Sequence, residues 1–357
     1  MKQSEVKIYQ LTKGEKNMKN IIVGIFVCML LITTGVIPVM GELHILKNKE
    51  IKSSTSDGTT SLKFMIVGNL PRTLRTYWIH VPPSYDGSEA VPLVMVLHGS
   101  TGFSLMAPFW FFSSSWMEEY TEFSIKADQE GFIVLYPNAK YDFYTKGFDY
   151  NYGYVSGGAP KYVDDLGFFR ALIDKMKQDY MIDSSRIYVT GISDGGAMAY
   201  SAGAYLSDIV AAIAPAAGII GGCMSVENDE YYEIPAPANP VSVIVFHGTS
   251  DSIVPYEGGG DYNITSVNKS VAFWVEQNGC NPIPEIYTSE SGKIVRRTYT
   301  NGENGTEIIL YTTVGGDHWW PGNPYTSSPG SPWLVDTIQE ISATDLIWEF
   351  FEAHPKQ

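Results

Sequence analysis

The chain has 357 residues, of which 44% are hydrophobic and 13% aromatic, so it can form one large or two medium-sized folded domains. This composition excludes a disordered chain. The formal net charge of -15 has the opposite sign to that of nucleic-acid-binding proteins, and we exclude that class too.

The N-terminal segment is typical of a targeting sequence. Lysines precede an apolar run at 21–40, and small residues lie near its end. The pattern predicts a secretory signal peptide over residues 1–41, cleaved after Gly41, with Met18 as an alternative start. The run is also long enough to span a bilayer, so a retained membrane anchor is the alternative. Residues 42–60 are polar and predict a linker, and residues 61–357 follow as one further domain.

Short apolar runs alternate with helical patterns along the rest of the chain. Strands are predicted at 75–82, 92–99, 131–137, 186–191, 209–215, 241–248 and 307–314. Helices are predicted at 163–180, 195–206, 267–279 and 343–354. This alternation indicates an α/β fold with a mostly parallel central sheet and helices on both faces. Right-handed crossovers place the carboxyl ends of the parallel strands at one edge, where functional residues collect.

A serine follows one of these strands directly. The sequence GISDGG, residues 191–196, joins the predicted strand at 186–191 to the predicted helix at 195–206. A nucleophile elbow needs a strand before it, a helix after it and small flanking residues, because its turn is tight and strained. Ser193 is therefore a candidate nucleophile, and an ordinary turn residue is the alternative.

A serine hydroxyl becomes a useful nucleophile only when a base takes its proton. His318 is the strongest candidate, because it lies in the glycine-rich loop GGDHWWPG after the predicted strand at 307–314. A structural histidine is the alternative. The other histidines lie in the linker, in strands, at strand ends or near the C-terminus: His44, His80, His98, His247 and His354. We expect His98 to order the loop after it, and His247 to pack or to bond to the backbone.

The base needs an acid that orients its ring. Asp251 follows the predicted strand at 241–248 in the sequence HGTSDSIVPY, and a simple turn residue is the alternative reading. Asp317 adjoins His318 and cannot easily reach round to its ring, so we reject it as the acid. The chain order Ser193, Asp251, His318 is the order used by α/β-hydrolases.

An oxyanion intermediate would need two N–H donors. One is predicted to be the backbone amide of Asp194, the residue after the candidate nucleophile. The other is predicted in the loop HGSTGF, at Ser100 or Thr101, where Gly99 and Gly102 allow the backbone a close approach.

Three cysteines occur, and Cys28 lies inside the apolar N-terminal run. In an exported protein, Cys223 and Cys280 are predicted to form a disulfide, and two buried thiols are the alternative. A disulfide closing a loop of this length would stabilise the fold by about 4 kcal/mol in the chain-entropy model.

Six motifs follow one another in a recognisable order: VDDLGFFRALID, YMIDSSRIYVTGISDGGAMAY, AAIAPAAG, HGTSDSIVPY, NGC and GGDHWWPG. Over residues 75–322 the chain resembles secreted polyhydroxybutyrate depolymerase-like and feruloyl esterase-like α/β-hydrolases, of the type of carbohydrate esterase family one. The resemblance implies an esterase with no cofactor and with Ser193, Asp251 and His318 as its triad. It also implies substrates such as feruloylated or acetylated plant polysaccharide, or short polyesters.

Aromatic side chains in three segments are candidates for a substrate pocket. The loop after YPNA is unusually aromatic where relatives usually carry a tryptophan, and MAPFWFF at 106–112 could form a second wall. A surface loop whose tyrosines cover the core is the alternative. The candidate pocket residues are Trp110, Tyr144, Phe148, Tyr152, Tyr154, Trp319 and Trp320.

Together these features predict that residues 61–357 form the α/β-hydrolase catalytic domain of an extracellular serine esterase, which acts on small or polymer-linked esters through an acyl-enzyme. A serine peptidase or acyltransferase on the same fold, and a non-catalytic binding protein with this scaffold, are the alternatives. No metal is expected, because no ligand spacing such as H-E-x-x-H occurs. No nucleic-acid partner is expected, and membrane contact only if the N-terminal segment is uncleaved.

Overall fold

The computed structural model describes residues 58–67, 73–100, 113–142, 147–149, 163–225, 228–323 and 339–357. The strands in these ranges are β1 (Thr59–Val67), β2 (Thr73–Val81), β3 (Val91–Leu97), β4 (Ile133–Pro137), β5 (Lys140–Asp142), β6 (Gly147–Asp149), β7 (Ile182–Ile192), β8 (Ala212–Ala216), β9 (Gly221–Ser225), β10 (Asn228–Glu233), β11 (Ser242–Gly248), β12 (Glu285–Thr288), β13 (Ile294–Tyr299) and β14 (Ile308–Thr313). The helices are α1 (Ser113–Thr121), α2 (Phe123–Glu130), α3 (Asp165–Asp179), α4 (Asp194–Tyr205), α5 (Val267–Gln277) and α6 (Ala343–Ala353), with a short 3-10 turn at Glu303–Gly305.

One large sheet organises the described part of the chain. Its ten strands follow the order β1-β2-β4-β3-β7-β8-β11-β14-β13-β12. The strands from β4 to β14 pair in parallel, and the two strands beyond each of these ends pair antiparallel. Two small hairpins, β9 with β10 and β5 with β6, lie outside this sheet. The predicted mostly parallel sheet is confirmed.

Alternate residues of the central strands enter two separate hydrophobic layers. In β3, Leu93 and Met95 belong to one layer, and Val94 and Val96 belong to the other. Helices α3, α4 and α5 complete the first layer, and helices α1, α2 and α6 complete the second. A strand that is covered on both faces needs apolar residues at every position, which explains the continuous apolar runs in the sequence. Helices therefore cover both faces, as predicted.

Side-chain caps begin three of the helices. Asp164 accepts a hydrogen bond from the Gly167 amide at 2.7 Å in front of α3, which supports the predicted helix start. Ser266 caps α5 and Ser342 caps α6, each through a hydrogen bond of 3.2 Å from a first-turn amide. These oxygens satisfy amides that have no partner inside the helix.

A buried ion pair joins the antiparallel strand β2 to the start of α3. Arg75 donates to the carboxylate of Asp165, and both side chains are almost fully shielded from solvent. The guanidinium also donates to the carbonyl oxygen of Asn138 at 3.1 Å and lies 4.0 Å from the ring centre of Phe168. This pair fixes the start of α3 against the segment that follows β4.

The structure adds elements that the sequence pattern did not predict. Strand β1 begins at Thr59, inside the predicted linker, and the β12–β13 hairpin and helices α1 and α2 are also additional. The predicted signal peptide or anchor at 1–41, and linker residues 42–57, lie outside the described residues. None of the helices in the described ranges combines the length and apolar character that crossing a bilayer requires.

Candidate active site

Ser193 occupies the turn between β7 and α4, as predicted. Its backbone has φ 60° and ψ -122°, a conformation that side-chain-bearing residues rarely adopt. The amide of Ser193 donates to the carbonyl oxygen of Ala216 at 3.0 Å, and its carbonyl accepts from the Ala197 amide at 2.9 Å. The turn is thus tied to the end of the neighbouring strand β8 and to the first turn of α4.

Two glycines make this turn sterically feasible. A Cβ atom on Gly191 would lie 2.7 Å from the backbone of Gly195. A Cβ atom on Gly195 would lie 2.4 Å from the carbonyl oxygen of Leu97, at the end of β3. Any larger residue would push the helix away from the sheet, so the glycines of the GISDGG sequence have the steric role that an elbow requires.

Asp251 and His318 meet at the carboxyl ends of neighbouring strands. Asp251 follows β11 and His318 follows β14, and the Asp251 Oδ2 to His318 Nδ1 distance is 2.8 Å. The other carboxylate oxygen, Oδ1, accepts from the amides of Ile253 at 3.0 Å and Val254 at 2.7 Å. An ionised carboxylate can only accept, so Nδ1 carries the proton and Nε2 of a neutral ring keeps its lone pair. That lone pair is what a general base uses.

Asp251 remains ionised although it is buried. Burial raises the pKa of this carboxyl group, but the nearby ring N–H groups of His247 and His318 and the Val254 amide outweigh burial and hold the pKa well below its usual value. A carboxylate that does not take up the proton is suited to orient an imidazole and to stabilise its charged form.

The loops that carry Asp251 and His318 are also joined by Asp317. Its Oδ1 accepts from the Ser252 amide at 2.9 Å, from the Ser252 hydroxyl at 3.0 Å and from the His318 amide at 2.9 Å. Asp317 therefore does not bond to the ring of His318, in agreement with its rejection as the acid. Gly248 allows the two loops to cross, because a Cβ atom there would lie 2.2 Å from the carbonyl oxygen of Gly316.

The loop after β3 begins beside Ser193. The Nε2 atom of His98 accepts from the Ala139 amide at 3.0 Å, so Nδ1 carries the proton and donates to the carbonyl oxygen of Gly99 at 2.7 Å. A Cβ atom on Gly99 would lie 3.7 Å from Ser193 Oγ. This geometry supports the expectation that His98 orders the loop, and it brings the start of the predicted oxyanion loop next to the hydroxyl.

The predicted site residues are therefore only partly brought together. Asp251 and His318 are hydrogen-bonded, and Ser193 lies at the same sheet edge, after β7. Among the hydrogen bonds of these described residues there is none between Ser193 and His318. Asp194 is the first residue of α4, and Ser100 is exposed after β3. Thr101, the other predicted oxyanion donor, lies outside the described residues.

The structure corrects one prediction about the substrate pocket. Trp320 is 1% exposed, packs edge-on against Phe123, and donates its ring N–H to Thr344 at 3.1 Å, so it is a core residue. Trp319 is half-buried and packs against the same hydrophobic layer. The backbone of Phe148 lies in β6. The remaining predicted pocket residues lie outside the described part of the chain: Trp110, Tyr144, Tyr152 and Tyr154.

The predicted disulfide is wrong. Cys223 and Cys280 are both free, buried thiols. Cys223 lies in β9 opposite Tyr231, whereas the sulfur of Cys280 faces the carbonyl oxygen of Thr306 at 3.8 Å, so the two thiols have different neighbours. Burial raises the pKa of the Cys280 thiol, which disfavours the reactive thiolate.

In the described ranges no group of three His, Cys, Asp or Glu side chains is suited to hold a metal ion.

Comparison with known proteins places this geometry in context. No family model matches the chain. The solved structure of an acetyl xylan esterase from Aspergillus awamori superposes with a TM-score of 0.50 at 16% identity, over 72% of this chain and 94% of that one. The chain has the α/β-hydrolase fold. The predicted α/β-hydrolase fold, with its mostly parallel sheet, is thereby confirmed.

Curated relatives carry names that agree with the predicted resemblance. Feruloyl esterase B of Piromyces equi is 27% identical over 256 residues, which are 67% of this chain and 42% of that protein. Poly(3-hydroxyalkanoate) depolymerase C of Paucimonas lemoignei is 25% identical over 263 residues, or 70% of this chain and 59% of that protein. The matches thus span about half of the length of these relatives. The predicted resemblance to feruloyl esterase-like and depolymerase-like proteins is confirmed.

The contacts that hold the turn at residues 251–254, here called the acid loop, were not predicted from the sequence. His247 was expected to pack or to bond to the backbone, and it does bond to the Val254 carbonyl oxygen, but it also approaches Asp251. Asp317 was considered only as an acid, and its link to Ser252 was not foreseen. His247 and Asp251 are four positions apart, whereas Asp317 and Ser252 lie in the neighbouring loops after β14 and β11. The only sequence signal for them is the polar content of the two loops.

Proposed function

We propose that this protein is a serine esterase that hydrolyses carboxylic esters, with Ser193 as nucleophile, His318 as general base and Asp251 as the orienting acid. The observation that carries this proposal is the 2.8 Å bond between Asp251 and His318, at the sheet edge where Ser193 lies in a strained strand-to-helix turn. An ordinary turn serine would have no reason to adopt φ 60° between two glycines that admit no side chain.

The proposed reaction follows from the chemistry of the three side chains. Nε2 of His318 takes the proton of Ser193, and Oγ attacks the ester carbonyl carbon. The resulting oxyanion is held by backbone amides, proposed as those of Asp194 and of Ser100 or Thr101. His318 returns the proton to the leaving alcohol, which leaves an acyl-Ser193 ester. Water then attacks this ester, His318 takes its proton and gives it to Ser193, and the carboxylic acid is released.

The lack of a hydrogen bond between Ser193 and His318 is compatible with this scheme. Hydrogen bonds between a nucleophile and its base are often long in a free enzyme and shorten when substrate is bound. Asp251 fixes the ring through Nδ1, and the Asp317 link fixes the backbone of His318.

We further propose that the substrates are feruloyl or acetyl esters of plant polysaccharide, or polyhydroxyalkanoate-type polyesters. The names of the feruloyl esterase and depolymerase relatives support this class. Such polymers lie outside the cell, and the predicted signal peptide at 1–41 agrees with an extracellular location. A serine peptidase, an acyltransferase and a non-catalytic binding protein remain the competing candidates, because the same fold hosts each of them.

A substrate panel separates these candidates. The mature protein is tested on p-nitrophenyl acetate, methyl ferulate, acetylated xylan, poly(3-hydroxybutyrate) film and a peptide p-nitroanilide. We expect ester hydrolysis that the Ser193→Ala variant loses by on the order of 10⁶ in kcat. Ser184→Ala is the matched control, because Ser184 is an exposed serine in β7, the strand that leads to Ser193. Full activity of Ser193→Ala, or cleavage of the anilide alone, would refute the proposal.

A further inference from the structure

A second histidine lies against the proposed acid. His247 is the penultimate residue of β11 and is 2% exposed, and its strand is flanked by β8 and β14. Its Nε2 atom lies 2.8 Å from the carbonyl oxygen of Val254 and 3.3 Å from Oδ2 of Asp251. The ring stands edge-on to the ring of Tyr256, with 5.8 Å between the ring centres. The proposed reaction assigns no role to this buried imidazole.

The contacts of His247 define which nitrogen carries its proton. The carbonyl oxygen of Val254 and the carboxylate of Asp251 are both acceptors only, so the proton is on Nε2. The Nδ1 atom is inaccessible to solvent and has no hydrogen-bond partner. A proton on Nδ1 would therefore be buried without an acceptor. The single N–H of His247 therefore points toward the acid loop.

The Nε2–H group of His247 contacts the acid loop at two residues, Val254 and Asp251. It binds the carbonyl oxygen of Val254, and the amide of the same residue donates to Oδ1 of Asp251 at 2.7 Å. It also approaches Oδ2, the oxygen that accepts from His318. Rotation of the carboxylate away from His318 would break contacts at both of its oxygens.

We infer that His247 is a positioning residue, which clamps the 251–254 turn so that Oδ2 of Asp251 stays directed at His318. This inference rests on the proposed triad and adds a residue that acts only through Asp251. Other titratable groups near the carboxylate are His318, from the loop after β14, and Asp317, whose oxygen is taken up by Ser252 and the His318 amide. His247 is the one that fixes the turn from beneath, within the sheet.

The test compares variants of the mature protein by the rate at which a fluorophosphonate labels Ser193, which requires no knowledge of the natural substrate. His247→Leu removes the N–H and keeps an apolar side chain of similar reach. We expect labelling to slow by about 10- to 100-fold, as for loss of a hydrogen bond to a charged group. His247→Gln places an amide donor near the position of Nε2 and should restore most of the rate. Tyr256→Phe is the packing control, because it keeps the ring against His247 and removes only the hydroxyl that bonds to Thr312.

A double-mutant cycle shows whether His247 acts through Asp251. In an Asp251→Asn background, His247→Leu should cause no further slowing, because the carboxylate that it positions is already lost. If His247→Leu fails to fold, His247→Phe keeps a ring against Tyr256 and gives the same comparison. Circular dichroism and the urea midpoint establish that each variant is folded.

The possible results separate the inference from the proposed function. Wild-type labelling at Ser193 together with an unchanged rate in His247→Leu would overturn the inference alone. A His247→Gln variant as slow as His247→Leu, or a full additional loss in the Asp251→Asn background, would do the same. A folded wild-type protein that is not labelled at Ser193 would overturn the proposed function, and the inference with it.

Discussion

The strain at Ser193 predicts an unusual order of stability between two inactive variants. Ser193→Ala and Ser193→Gly both remove the hydroxyl, and neither loses a helix cap, because the Ser193 side chain makes no capping hydrogen bond. The backbone at this position has φ 60° and ψ -122°, which glycine adopts without steric cost and alanine does not. We therefore expect Ser193→Gly to be the more stable variant.

The size of the difference follows from two opposing effects. A sparsely populated backbone conformation costs a residue with a side chain about 1–3 kcal/mol, and glycine avoids this cost. Glycine loses about 0.5–1 kcal/mol through the greater freedom of its unfolded chain. The free energy of unfolding of Ser193→Gly should thus exceed that of Ser193→Ala by about 1 kcal/mol. In a domain of this size the difference corresponds to a Tm higher by about 2 °C.

Urea unfolding followed by tryptophan fluorescence, together with thermal melting, measures the difference. The same pair of substitutions at Ser184 is the control, because Ser184 lies in β7 and is not among the residues with positive φ. The free energy of unfolding of Ser184→Gly should be lower than that of Ser184→Ala by about 0.5–1 kcal/mol. If Ser193→Gly is as stable as Ser193→Ala or less stable, the strained elbow is not a property of the folded protein.

Three further outcomes follow from the structure. Asp251→Asn should lower kcat on an ester by on the order of 10⁴ with little change in fold, and steady-state kinetics that show less than a tenfold loss would exclude this residue as the orienting acid. Arg75→Met should lower the free energy of unfolding by about 3–5 kcal/mol because it removes the cationic partner of a buried carboxylate, that of Asp165. In that experiment, a urea midpoint close to the wild-type value would show that the pair is not buried. Thiol titration in denaturant without reductant should find both Cys223 and Cys280 free in the mature protein, and a result of no thiols would restore the disulfide.

The parallel part of the sheet could be predicted from sequence because its strands are covered on both faces. The segments that became β3, β4, β7, β8, β11 and β14 are short apolar runs, and the structure places them where the pattern did. The elbow and the chain order of the candidate triad were also readable, because each requires particular residue types directly after a strand. Local rules were sufficient wherever burial or a tight turn constrained every residue.

The missed elements lack that constraint. All four residues of β12 are exposed, and the only buried residue of β1 is Ser61, so neither strand carries a strong apolar signal. Helix α1 has the sequence SSSWMEEYT, in which few positions need to be apolar. The disulfide prediction failed because two cysteines in sequence give no information about distance. Likewise, the contacts of His247 and Asp317 depend on how two loops cross above β11 and β14.

The most direct test of the proposed triad is a crystal structure of the protein after reaction with a phosphonate ester that mimics the tetrahedral intermediate. We expect a covalent bond from phosphorus to Oγ of Ser193, with Nε2 of His318 about 3 Å from an oxygen on that phosphorus. Asp251 should still hold Nδ1 of the same ring. A phosphonate attached to another residue, or a His318 ring with no contact to the modified serine, would refute the proposed triad.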